Sequence, residues 1–449
     1  MGINSGLDNP VFRSRLGVGK AWVQRFSDED GKVFVIIEPR AEHKPEDCLE
    51  YLKERGFRFR VRGVAWPYLI AAFDAEEFGN SQEAIAKEPG PIRYVWYDAP
   101  LVVQTDVSSA LVGASDPNKP LWGADFGTGV WWAIIDTGVD GSHDHFNGLK
   151  IVQYAVNSTV RIPEPSDLAA WSKLREKPVD NHGHGTHVAG IVTGQEVRGQ
   201  RRGVAPKTNL VSFRLTQTAG NECGREGDLV SVLKFLVAAK SSPEAAGLIA
   251  TPFGVNISLS VKLNSQDERV SEAPVCKALD EVVDAGITVV VAAGNYGAET
   301  SQPTGFQFRE VSLPNPANAY GAIVVGACHK EDPQKAGIWQ RSSRGPTADG
   351  RAKPDLVAPG VSIYSAEANT RSGYKDMNGT SQAAPHVSGV ICALMSEVSE
   401  VKTMSPPRIL EILKRTALDL GRNLYYQGSG LVQLRGALDE AEKGAQPSE

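Results

Sequence analysis

The sequence predicts an α/β protein: a mostly parallel sheet with helices on both faces, preceded by a smaller α+β domain. Three observations carry this. The chain has 449 residues, more than one hydrophobic core ordinarily serves, so two domains are expected. From about Trp122, near-continuous apolar runs alternate with helix-period segments, the pattern of strands buried on both faces by crossover helices. Ahead of that region, short strand-like and helix-like segments follow one another in a compact β-α-β-β-α-β order.

The N-terminal elements come first. Residues 1–30 read as a polar arm. Lys32–Ile37 is a strand, and His43–Arg55 a helix with Leu49 and Leu52 on its apolar side. Phe57–Arg62 alternates, so Phe57, Phe59 and Val61 face one side and Arg58, Arg60 and Arg62 the other. Leu69–Phe73 is an apolar run, Ser81–Lys87 a short helix and Ile92–Tyr97 a last strand. This order is that of a ferredoxin-like domain, assigned to residues 31–104. Residues 105–121 read as a linker, 122–443 as the main domain and 444–449 as a tail. In the main domain, strands are expected at Val130–Ile135, Leu210–Phe213, Val255–Leu259, Ile287–Ala292 and Ala322–Ala327. Helices are expected near His184–Thr193, Asp228–Lys240, Ala273–Ala285, Gln382–Val398 and Pro407–Leu418.

Composition narrows the function classes. The chain is 41% apolar and 22% charged, as in ordinary globular proteins. A net charge of −6 gives no reason to expect nucleic acid or a membrane surface as partner. No run approaches the ~18 apolar residues of a spanning helix. Met1–Lys20 lacks the apolar core of a secretory signal, so the expectation is a cytoplasmic protein, or a secreted one if the N-terminus is truncated or another export route is used. Cys48, Cys223, Cys276, Cys328 and Cys392 are odd in number and widely spread, without a CxxC pair, which favours reduced, packed thiols.

Four segments carry chemistry. Asn378–His386 (NGTSQAAPH) sets Ser381 just before an apolar helical pattern, where backbone N–H groups stabilise developing negative charge. Pro385 is read there as tolerable because it lies near the helix start. A serine in such a place is more often a cap than a nucleophile. Trp131–Gly138 ends an apolar strand in Asp136, which alone reads as a turn-forming acid. Asp180–Gly190 (DNHGHGTHVAG) holds His182, His184 and His187. A metal site is one reading, yet the segment is not HExxH and has no matching ligand cluster; a single imidazole at a helix start, His184, is the other. Val289–Asn295 is a buried strand ending in Gly294 and Asn295, whose amide suits an oxyanion donor. Together they supply a nucleophile, a base, an orienting acid and an oxyanion donor, in the chain order Asp, His, Asn, Ser. Asp…His…Ser is the order known for subtilisin. An α/β-hydrolase needs the serine first and Gly two residues after it, where this chain has Ala383.

These motifs resemble those of the subtilisin-like serine proteases. The resemblance rests on IIDTGVD, HGTHVAG, VVVAAGN, GTSxAxPH, Ser342–Thr347, Lys353–Gly360 and the ending at Gly428–Gln433, and runs from about Trp122 to about Glu440. It implies a three-layer α/β/α fold and a serine endopeptidase with Asp136, His184 and Ser381 as triad and Asn295 as oxyanion donor. It also implies polypeptide substrates and a substrate-binding set of Gly220, Ser258, Leu259, Ser260 and Gly294. Ser260-Val261 stands where the family commonly has Gly-Gly, so a side chain at 260, with Tyr296, is expected to reshape the first specificity pocket; Gln382 stands where the family has Met and is expected to alter packing near the leaving-group side. No cofactor is required. Calcium stays open, but the usual high-affinity site is expected to be absent. His145 occupies its first acid position, and the loop Gln195–Arg202 is arginine-rich.

The N-terminal domain resembles the family's inhibitory propeptide, implying a zymogen that cleaves itself near Gln104–Thr105 and an intramolecular inhibitor. Arg58, Arg60 and Arg62 would then meet Glu222, Glu226, Asp228, Asp267, Glu268, Glu272, Asp280 and Glu281. Two other classes fit parts of the sequence: a regulatory protein whose prodomain never leaves, and a metal-dependent hydrolase using His182, His184 and His187.

Overall fold

The computed structural model describes most of residues 32–97 and 108–445. Outside the described residues lie 1–31, 98–107, 115–122, 446–449 and short internal stretches, chiefly 79–84, 86–89, 157–162, 198–201, 220–221, 243–250, 262–270, 302–304 and 332–334. The chain divides into two compact units, Met1–Val103 and Gln104–Glu449.

In the first unit four strands form one sheet in the order Phe59–Ala65, Tyr68–Asp74, Lys32–Pro39, Ile92–Tyr97, every neighbour antiparallel. The helix Pro45–Glu54 opens on a proline, whose missing N–H has no partner to lose there. Its Cys48 and Leu52 pack with Val35, Ile37, Leu69, Phe73 and Val95. Phe59 stacks on Phe73 at 5.2 Å. Val61, expected on one side with Phe57 and Phe59, is 40% exposed: the strand lies at the sheet edge and its register shifts after Val61. The helix expected at Ser81–Lys87 lies outside the described residues except for Ile85, which is buried.

The second unit is built on an eight-stranded sheet in the order Leu356–Val361, Ile323–His329, Thr288–Ala292, Gly254–Ile257, Trp131–Asp136, Asn209–Leu215, Ile151–Val156, Arg175–Glu176. All neighbours are parallel except the last pair. Strand residues alternate between two cores. Trp132, Ile134, Val290 and Ala292 face the core shared with the helices His184–Val192, Thr380–Glu397 and Leu434–Ala445. Ala133, Ile135, Val289 and Val291 face the helices Glu226–Ser241 and Pro274–Asp284. The fold is thus a three-layer α/β/α sandwich, and strands buried on both faces explain the unbroken apolar runs.

Several described elements are not expected from the sequence, and three of them show why. Ile151–Val156 is interrupted by Gln153, which is buried because its amide is fully used: Nε2 donates to Glu176 (2.9 Å) and Val179 O (2.9 Å), and Oε1 accepts from Val139 N (2.9 Å). Leu356–Val361 contains Pro359-Gly360, which reads as a break but is allowed in an edge strand. Leu434–Ala445 continues two residues past 443.

Of the acids set against the arginine face, Asp228 is buried and accepts from Arg225 N (2.8 Å), capping its own helix. Asp280 accepts from Gly321 N (2.9 Å), and Glu281 pairs with Lys234. The side chains of Arg62, Glu222, Asp267, Glu268 and Glu272 lie outside the described residues.

Candidate active site

Three adjacent parallel strands, Trp131–Asp136, Gly254–Ile257 and Thr288–Ala292, deliver Asp136, Ser258 and Asn295 to their carboxyl ends, where ligands bind in such sheets. His184 opens the helix His184–Val192 above them. Its Nδ1 donates to Asp136 Oδ1 at 2.7 Å, and Thr137 N donates to the same oxygen at 2.8 Å. The Asp136 side chain is fully buried, and its Oδ2 has no hydrogen-bond partner among the described residues. Burial alone would lower the His184 pKa, but the Asp136 carboxylate outweighs it and holds the imidazole above the ordinary histidine value.

The close approach of helix and strand needs glycine. A Cβ on Gly185 would sit 2.2 Å from Gly138 O and 3.1 Å from Asp136 Cβ. Asp180, not singled out from sequence, anchors the helix start. Its Oδ1 accepts from Thr137 Oγ1 (3.0 Å), His182 N (3.0 Å) and Gly183 N (2.8 Å), and its Oδ2 from Thr186 N (2.9 Å) and Thr186 Oγ1 (2.7 Å). Five donors satisfy one buried carboxylate at a helix N-terminus.

Ser381 is the second residue of the helix Thr380–Glu397, so its backbone N–H has no intrahelical partner. Its Oγ donates to Ser258 O at 3.1 Å, and among the described residues it makes no hydrogen bond to His184. Ser258 returns the contact: its Oγ donates to Ser381 O at 2.9 Å. Pro385 explains this bond and corrects the expectation about it. As the sixth helical residue it lies past the free first turn, and its missing N–H is the one that would have bonded Ser381 O. The Ser258 hydroxyl takes that place. Asn256 Nδ2 donates to Ser258 Oγ (2.9 Å), and Ser388 Oγ to Asn256 Oδ1 (3.0 Å), so the clasp is backed by a buried relay.

Asn295 is oriented by Thr380, whose N and Oγ1 both donate to Asn295 Oδ1 at 3.0 Å. The amide oxygen is thereby committed inward, and Nδ2 makes no hydrogen bond among the described residues. Gly294 gives its N–H to Thr380 Oγ1 (3.0 Å) and its carbonyl to Ser343 N (2.8 Å). Its φ of 95°, with Pro314 atoms 2.6 Å from any Cβ, excludes a side chain.

Beside Asn295 lies a cavity of about 320 Å³ lined by Ser260, Asn295, Tyr296, Ala298, Glu299 and Arg341. Ser260 and Tyr296 thus meet there, while Leu259 packs toward the core below. Gly220, Gln104 and Thr105 lie outside the described residues.

Two further histidines are structural in their contacts. His187 Nε2 donates to Ile363 O (3.1 Å) and Lys375 O (3.0 Å), and burial pushes its pKa down to about 3. It therefore turns away from His184, and the three histidines of the motif do not converge. His145 is buried, bonded to Gly190 O (3.0 Å) through Nε2 and to the Tyr374 hydroxyl (3.0 Å) through Nδ1; burial lowers its pKa to about 4. A neutral imidazole with both nitrogens engaged, next to Arg202, does not fit a hard cation that needs several oxygens.

The fold gathers the Asp136–His184 pair, Asn295 and Ser381 at the carboxyl ends of the parallel strands. The family model of the subtilases (peptidase S8) matches residues 127–432, and the chain belongs to that family. The chain is 29% identical to subtilisin DY of Bacillus licheniformis over 312 residues, covering 69% of this chain and 91% of that protein. It is 28% identical to the serine protease AprX of Bacillus subtilis (strain 168), covering 68% of this chain and 65% of AprX. Similarity to the subtilisin-like protease SBT6.1 of Arabidopsis thaliana, at 29% identity, spans 95% of this chain but 36% of that one. Among solved structures, the Clostridium perfringens CspB protease superposes with a TM-score of 0.59 at 19% identity, over 76% of this chain and 98% of that one.

Proposed function

We propose that the chain is a serine endopeptidase with Asp136, His184 and Ser381 as its triad, made as a zymogen whose first unit inhibits until cleaved off. The observation that carries the reading is the 2.7 Å bond from His184 Nδ1 to a buried Asp136, which leaves Nε2 as the basic nitrogen. Substrate entry turns the Ser381 hydroxyl from Ser258 O to His184. Oγ bonds to the scissile carbonyl carbon as its proton passes to Nε2, and Asp136 stabilises the imidazolium. Asn295 Nδ2 and Ser381 N–H donate to the oxyanion. The intermediate collapses, the amine leaves with the proton from His184, and water, deprotonated by the same imidazole, releases the acyl group. No organic cofactor enters.

The zymogen part draws on the separate N-terminal sheet and on a relative aligned over 95% of this chain. Its own substrate is the junction near Gln104–Thr105. At 48.2 kDa over 449 residues, a cut there removes about 11 kDa. Intact mass and labelling by a fluorophosphonate test both parts. Wild type should lose that mass and label at Ser381, and Ser381→Ala should do neither. Labelling elsewhere, or processing by the alanine variant, would refute the assignment.

A further inference from the structure

The cavity next to Asn295 carries information about the substrate that the triad does not. On the peptidase reading, on which this inference rests, Asn295 Nδ2 marks the oxygen of the attacked carbonyl. Asn295 and Ser260, the latter from the substrate-binding set that the resemblance implies, both line the cavity, which puts it beside the residue bearing that carbonyl. The walls are polar: Ser260, Asn295, the Tyr296 side chain and two charged residues, with Ala298 the only aliphatic one among the described lining residues. A pocket selecting large apolar side chains needs the opposite.

The two charges are not equivalent. Glu299 is paired, its carboxylate accepting from Arg309 Nη2 at 2.8 Å across the hairpin of Ala298–Ser301 and Gly305–Phe308. Arg341 has no hydrogen-bond or ion-pair partner for its guanidinium among the described residues. Its backbone is held in place, because Arg341 O accepts from Gly297 N at 3.0 Å, two residues beyond Asn295. Among the described residues the cavity therefore presents one uncommitted cation, with a planar set of donors suited to a carboxylate.

We propose that Arg341 makes this pocket selective for an acidic side chain, Glu or Asp, on the residue whose carbonyl is attacked. The neutral isosteres Gln and Asn rank next, since they keep an acceptor oxygen. The candidate processing junction is compatible, with Gln104 ahead of the cut.

The test uses the full chain and peptide diphenyl phosphonates identical except for this side chain: Glu, Gln, Leu and Lys. Labelling rates at Ser381 are followed beside a generic fluorophosphonate. The Glu probe should react roughly tenfold or more faster than the Gln probe, the size expected for a hydrogen bond to a charged group. Arg341→Met should level Glu with Gln, and labelling of Ser381 by the generic probe reports that the variant is folded. Arg341→Glu should favour the Lys probe. Fastest reaction with Lys in the wild type would assign recognition to Glu299 and overturn the proposal. A Leu preference untouched by Arg341→Met would do the same. Failure of the generic probe to label Ser381 would instead sink the peptidase reading, and this inference with it.

Discussion

If Ser258 substitutes for the N–H that Pro385 lacks, the two residues are energetically coupled, and the coupling is measurable. Ser258→Ala removes a hydroxyl that serves two groups: it donates to Ser381 O and accepts from Asn256 Nδ2. Asn256 is fully buried. Stranding a buried polar group costs about 1–3 kcal/mol, so the loss of both contacts should destabilise the unit by roughly 2–4 kcal/mol. Pro385→Ala supplies an amide hydrogen that closes the ordinary helical bond to Ser381 O. In that background Ser258→Ala strands only Asn256, and its cost should fall by about 1 kcal/mol or more. Any helix-propensity gain from replacing proline is common to both arms and cancels in the cycle. Urea unfolding of the four proteins, each carrying Ser381→Ala to prevent self-digestion, measures the cycle. Additive costs would refute the reasoning, as would a Ser258→Ala protein as stable as its parent.

Other consequences of the geometry are checkable. The acid limb of kcat/KM should lie above pH 6.5, because the Asp136 carboxylate raises His184 and the base is lost on protonation; Lys375→Met should move it higher, since Lys375 opposes the shift. Burial lowers His145 to about 4, so its contribution to stability is present above 6.5 and lost as pH falls through 4; at 1.36 kcal/mol per pH unit this reaches ~3 kcal/mol, and His145→Gln should flatten that part of the stability–pH curve. Asn295→Leu should cut kcat by about a hundredfold to a thousandfold with little change in KM, read with a fluorogenic peptide. Asp180→Ala strands five donors at the His184 helix and should lower the thermal midpoint as well as kcat, whereas Asp180→Asn, which keeps acceptor capacity on one oxygen, should lower both less.

What could be read in advance divides by the range of the interaction. Local patterns gave the sandwich: Val289–Ala292 is apolar at every position because alternate residues enter two different cores, and that is visible in four letters. The Asp136–His184 contact was legible for another reason, the chain order Asp, His, Asn, Ser carried by motifs that resemble a known family, while the structure adds that glycine at 185 is what lets helix and strand come so close. Contacts that depend on what lies across the fold were not. Asp180 carries no signal of its own in the sequence, because the groups that share it include Thr137, 43 residues away. Pro359 reads as a breaker until its strand is placed at the sheet edge. Pro385 shows the distinction most plainly. Its tolerance was ascribed to a nearby helix end, a local cause, yet the compensation comes from Ser258, 123 residues away from Ser381 in sequence. The same proline thereby links the strand segment proposed to hold substrate to the proposed nucleophile. A residue that breaks a local rule inside a motif is thus a pointer to a long-range partner, and here that partner ties the two halves of the site together.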